Sequence, residues 1–211
     1  MNKPLTIHHQ DTLELNPDTH LPDLHQDTFS KTTQGFWMYL MTDSLLFATL
    51  FCAYAILHTE TFDGPSAQDL FSLSTAFTET MILLLSSVTC GFSMMAALRN
   101  KKNQVLAWLG VSFLLGASFV AIELTEFTQL VQDGNSWQRS AFLSSFFTLV
   151  STHGMHVSFG LLGMIVMAAQ LFLLGVTATT FRRLITFSMF WHFLDLVWIF
   201  IFTFVYLMGV V

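Results

Sequence analysis

The sequence predicts an all-α integral membrane protein: a bundle of five transmembrane helices, with the N-terminus cytoplasmic and the C-terminus periplasmic. Three observations lead there. Of 211 residues, 53% are apolar and only 10% are charged, against about 25% charged in an ordinary soluble domain. Five apolar stretches each exceed the ~20 residues that a helix needs to cross ~30 Å of hydrocarbon. The basic residues fall almost entirely on one side of the chain's alternating connections, which sets orientation. The composition, with 23 Phe against 8 Lys and Arg and a net charge of −6, excludes a nucleic-acid partner, since those surfaces need a basic face.

Taken in order, residues 1–33 form a polar cytoplasmic tail with no apolar period, read as mobile. The tail carries His8, His9, His20 and His25 at irregular spacing, which suits solvation better than metal binding. Residues 34–211 form the membrane domain. Its spans run over 35–58, 74–98, 105–131, 140–174 and 184–211. Backbone groups in lipid must bond internally, so these are helices; barrel strands would be ~10 residues long and alternating. The links 59–73, 99–104, 132–139 and 175–183 are too short for a folded domain, and the first holds an Asp63-Gly64-Pro65 turn signal. Lys3, Lys31, Arg99, Lys101, Lys102, Arg182 and Arg183 collect on one side and Arg139 alone on the other. Cys52 and Cys90 both sit in apolar runs and read as small buried hydrophobes.

The candidate functional residues are the ionisable groups inside the spans, each costing on the order of 3 kcal/mol to insert. They are Asp43, Glu79, Glu123, Glu126, His153, His156, His192 and Asp195. Six of them form i,i+3 pairs (Glu123 with Glu126, His153 with His156, His192 with Asp195), and that spacing puts each pair on one helix face. Counting along the spans places Asp43, His192 and Asp195 in an inner layer, with His153 near the midplane. Glu79, Glu123 and Glu126 fall within ~12 Å of the outer ends. Three readings compete for these groups: a metal site, a proton or ion pathway, and hydrogen-bonded polar contacts between helices. Di-iron bundles use Glu-x-x-His on two helices, whereas this chain has ExxE, HxxH and HxxD, so no metal ligand, cofactor ligand or catalytic residue is assigned. Glu79 is the sharpest candidate, being the only charged residue of its span.

Several motifs point to one family. The run FWHFLDLVW at 190–198 resembles the WHFxDxVW signature of subunit III of haem-copper terminal oxidases. THGMHV at 152–157 looks like the same family's HGxHV motif, and 117–127, ending ELTEF, is similar to its third-from-last helix. Glu79, within TET at 78–80, lies where the family has its intramembrane glutamate, and the entry GFWMYL at 35–40 also fits. The resemblance covers residues 34–211. A five-helix chain with a polar tail looks most like the quinol-oxidising cytochrome o branch, with subunit III of a bacterial cytochrome c oxidase as the alternative. A self-contained carrier or metalloenzyme is a further alternative; a carrier would usually show repeats and broken helices.

The resemblance implies a non-catalytic accessory subunit of a proton-pumping oxidase of the bacterial inner membrane. No cofactor is implied in this chain; haem and copper belong to partner subunits. It implies direct packing on oxidase subunit I, association with subunits II and IV, and bound phospholipid. For Asp43, Glu79, Glu123, Glu126, His153, His156, His192 and Asp195 it leaves buried polar, proton-linked or lipid-linked roles open.

Overall fold

A computed structural model describes residues 24–58, 73–207 and 209. The tail histidines His8, His9 and His20 and the Asp63-Gly64-Pro65 turn lie outside the described residues. Among the described residues there are five long helices: α1 (Leu24–Leu57), α2 (Leu73–Leu98), α3 (Lys102–Gln132), α4 (Ala141–Leu174) and α5 (Ala178–Ile201). The last continues into a wide π turn, Phe202–Leu207. All five are long and apolar enough to cross a membrane, with spans of 26 to 34 residues.

Two helix starts differ most from the sequence expectation. Helix α1 starts at Leu24, inside the expected 1–33 tail. The stretch 24–34 contains neither Pro nor Gly, so nothing local stops the apolar helix from extending back into polar sequence. Helix α5 starts at 178 rather than 184, which brings Arg182 and Arg183 into its first two turns. The reason is a reciprocal cap: Thr177 Oγ1 accepts from the Thr180 N–H at 3.2 Å, and Thr180 Oγ1 accepts from the Thr177 N–H at 2.7 Å. This satisfies two amide donors that a helix start leaves open. Upstream, α4 ends on Gly175 at φ +72, whose N–H returns to Leu171 O. That left-handed backbone suits glycine.

The chain divides into two units between Met38 and Tyr39, within α1. The described part of the first is the opening of α1. In the second, α2 packs on α3, α3 on α4, α4 on α5, and α5 returns to α2, closing a four-helix ring. The 39–57 part of α1 attaches through large aromatic side chains: Tyr39 to Phe190, Phe51 to Phe200 and Phe204, and Tyr54 to Phe142. The ring closes tightly around Trp191. A Cβ added at Gly116 of α3 or Gly160 of α4 would stand 2.9 or 2.7 Å from the Trp191 ring. Glycine at both sites is what lets α3 and α4 approach the indole.

Candidate functional site

The ionisable groups fall into three clusters. In the first, Glu79 of α2 is 0% exposed and Glu123 of α3 is 4% exposed. Glu79, Glu123 and Glu126 lie within electrostatic reach of one another, and buried Tyr206 of the π turn is near all three. Both oxygens of Glu79 and both of Glu123 are buried without a hydrogen-bond partner. The wide π turn adds a residue to its repeat and turns both Val205 and Tyr206 inward. Sequence reasoning missed Tyr206, because a π turn leaves no periodic signature in so short a run.

The second cluster joins α1 to α4. His156 Nε2 lies 3.2 Å from Asp43 Oδ1, and His156 Nδ1 lies 2.7 Å from Thr152 O. A carbonyl only accepts, so Nδ1 carries a proton. The contact between Nε2 and the carboxyl oxygen then needs a second proton, held on one partner or the other. In either arrangement the pair is electrically neutral as a unit, which suits a low-dielectric interior. Phe47 covers the pair, with its ring 5.3 Å from His156.

His153, one turn earlier on α4, behaves differently. It is 0% exposed and packs as an aromatic side chain between Trp198 at 5.3 Å, Phe119 at 6.0 Å and Phe47 at 6.3 Å. Neither of its ring nitrogens has a partner.

The third cluster spans α2 and α5. Ser87 Oγ and His192 Nδ1 share a hydrogen bond at 3.2 Å, and the Asp195 carboxyl lies within electrostatic reach of both. The structure therefore does not join Asp43 to His192 and Asp195 in one inner layer. Asp43 is drawn to His156, because depth along a helix fixes level but not azimuth, and the two i,i+3 pairs face different neighbours. A line of hydroxyls beside this cluster was also not singled out from sequence. Trp191 Nε1 donates to Ser86 Oγ at 3.2 Å, Trp198 Nε1 donates to Thr80 Oγ1 at 3.1 Å, and Ser112 Oγ meets Thr89 Oγ1 at 2.7 Å. Among the described residues no three His, Cys, Asp or Glu side chains gather as metal ligands would.

The family description "Cytochrome c oxidase subunit III" matches residues 18–210. The chain belongs to the cytochrome c oxidase subunit III family. Named relatives of this subunit III chain narrow the branch. It is 51% identical over 199 residues, 90% of this chain and 95% of the relative, to a protein of Pseudomonas aeruginosa named cytochrome bo(3) ubiquinol oxidase subunit 3. It is 51% identical over 184 residues, 87% of this chain and 89% of the relative, to the protein of the same name from Pseudomonas putida. A Bacillus protein named cytochrome c oxidase subunit 3 is 41% identical over 177 residues, 84% of this chain and 86% of the relative. The motif residues His153, His156, His192 and Asp195, the acids Glu79, Glu123 and Glu126, and Asp43 all fall within the matched region. The chain is an accessory subunit III of a terminal oxidase and a multi-pass membrane protein.

Proposed function

We propose that this chain is the accessory subunit III of a proton-pumping ubiquinol oxidase that reduces oxygen to water in a bacterial inner membrane. Its N-terminus lies in the cytoplasm and its C-terminus in the periplasm, in keeping with the seven-to-one asymmetry of basic residues. It packs directly on subunit I, which carries haem and copper, and associates with subunits II and IV. Its own contribution is to stabilise the catalytic subunit and to hold phospholipid. The observation that carries this reading is the 51% identity, over nine-tenths of the chain, to a relative named for ubiquinol oxidation. The 41% identity to a relative named for cytochrome c oxidation supports the other donor less well.

The geometry is in keeping with an accessory role. Three of the spans' ionisable groups make helix-to-helix hydrogen bonds (Asp43 with His156, and His192 with Ser87), and the eight do not converge on one open cleft. A groove of about 620 Å³ between α3 and α4 is lined by Leu124, Phe127, Val131, Trp137 and Phe147, with Thr148 among its polar residues. Its apolar wall beside a few hydroxyls suits a phospholipid chain. The test is to purify the tagged chain from native membranes in mild detergent. Haem- and copper-bearing subunits should co-purify, with oxygen consumption driven by ubiquinol. Purification of the chain alone, or with an oxidase that accepts only cytochrome c, refutes the proposal.

A further inference from the structure

We propose that the α2–α5 face centred on Ser87 and His192 docks a transmembrane helix of another oxidase subunit, one that offers His192 a hydrogen-bonding side chain near the bilayer centre. This rests on the reading of the chain as a subunit of a multi-subunit oxidase.

The argument begins with depth. His192 is 14 residues from Ala178 and 15 from Leu207 in the α5 span. At the helical rise it stands ~21–23 Å from either end, the middle of the span. Ser87, 14 residues after Leu73 and 11 before Leu98, is ~17–21 Å from the ends of α2. Neither is near a head-group layer. Of the eight ionisable candidates in the spans, the other seven are buried or half-buried, and His192 alone is exposed. Among the described residues its one side-chain hydrogen bond is that between Nδ1 and Ser87 Oγ. Whichever of Ser87 and His192 donates, Nε2 has no hydrogen-bond partner among the described residues. Lipid tails supply none, and an unmet polar group in hydrocarbon is costly.

The shape around the pair agrees. Gly91 lies one turn beyond Ser87, and Ser188 one turn before His192; both are half-buried. A Cβ at Gly91 would meet nothing within 4 Å, so this seam is shallow and open to another backbone. Small residues around a polar group are what close helix contacts in membranes use. The outer face of α4 differs in kind. Its exposed Met155, Phe159, Leu162, Ile165 and Val166 are large and wholly apolar, a surface matched to lipid.

The test uses the complete oxidase in native membranes, with His192 left intact. A photo-cross-linking amino acid is placed at Val88 or Leu196, both exposed beside the pair, or at Ile165 on α4. Cross-links from 88 and 196 to another oxidase subunit, with none from 165, are expected. In the same complex, His192→Leu should speed loss of this chain during detergent washing about three- to eighteenfold, the range for one interhelical hydrogen bond, and His192→Gln should restore much of the retention. If other oxidase subunits co-purify but cross-links arise only at 165, only to lipid, or only to a second copy of this chain, the docking face is overturned and the subunit reading stands. If no other oxidase subunit co-purifies with the unmodified chain, both readings fall.

Discussion

Replacing Gly160 by Ala should destabilise the bundle, although alanine is the better helix former. The added Cβ would lie 2.7 Å from Trp191 Cζ3, 3.0 Å from Cε3 and 3.4 Å from Phe190 Cε1. Trp191 cannot retreat cheaply. It is 2% exposed, its Nε1 donates to Ser86 at 3.2 Å, and its ring stacks on Phe187 at 6.1 Å. Overpacking of this kind costs about 1–3 kcal/mol, while Gly to Ala in a helix returns roughly 0.5–1 kcal/mol. Gly154→Ala is the matched control, six residues earlier on α4 with nothing within 4 Å of the added Cβ. The propensity gain cancels between the two variants, so their difference isolates the clash, about 1–3 kcal/mol. For a chain of this size that is roughly 2–12 °C in melting temperature. The assay is thermal denaturation of the purified protein in one detergent at one scan rate, because membrane proteins often unfold irreversibly. Gly160→Ala melting at or above Gly154→Ala would refute the packing argument. Trp191→Phe removes the benzo ring that the Cβ meets, so in that background Gly160→Ala should cost less, a coupling readable by double-mutant cycle.

Three further outcomes follow from the site. Asp43→Leu or His156→Phe alone should lower stability by about 3–5 kcal/mol, since each leaves a buried polar partner unpaired, while the double variant should cost clearly less than the sum; additive losses in thermal denaturation would show that the pair is not coupled. Glu79→Gln keeps size and polarity but cannot ionise, so subunit retention and quinol turnover should stay within about twofold if Glu79 serves packing. A fall in protons pumped per electron with assembly intact would instead assign its carboxyl a proton-linked role. Thr177→Ala removes one half of the α5 cap and should cost about 0.5–2 kcal/mol, read as a lower melting temperature; an unchanged value would mean that the cap is not limiting.

Five helices were legible because hydrophobic length is a one-dimensional signal, and the chain's 10% charge leaves few places for a span to end. Helix starts were less so. The onset of α5 depends on a reciprocal bond between Thr177 and Thr180, and Thr-Ala-Thr-Thr reads equally as a turn. The onset of α1 at Leu24 lies in polar sequence, where propensity alone is a weak guide. The site was legible as a set of residues and less so as a set of pairs. Sequence spacing put His192 with Asp195 and His153 with His156, and each sits on one helix as expected. Which neighbour each pair meets depends on helix azimuth, and that is set by bulky contacts such as Trp191 against Gly116 and Gly160. Hence Asp43 meets His156, His153 disappears among aromatic rings, and Ser87 enters the site unannounced.

The hydroxyl groups, more than the acids, hold the ring of helices together. Thr80 Oγ1 donates to Ala76 O at 2.8 Å and accepts from Trp198 Nε1 at 3.1 Å. Ser86 Oγ donates to Ser112 O at 3.0 Å and accepts from Trp191 Nε1 at 3.2 Å. Each hydroxyl thus uses its one proton on a carbonyl and a lone pair on an indole, so α2 meets α3 and α5 with no donor left open. A hydroxyl is also cheaper to bury than a carboxyl, because it carries no charge to desolvate. Glu79 and Glu123 stand beside this satisfied network with all four oxygens unmatched. If the only task were to join α2, α3 and α5, Thr80, Ser86, Thr89 and Ser112 already accomplish it, and Leu or Gln at 79 would serve as well. Among the described residues these carboxyls make no hydrogen bond, so helix packing within the bundle does not account for them. This is why the effect of Glu79→Gln has to be measured on pumping and retention in the whole complex, where a helix-packing role and a proton-linked role give different results.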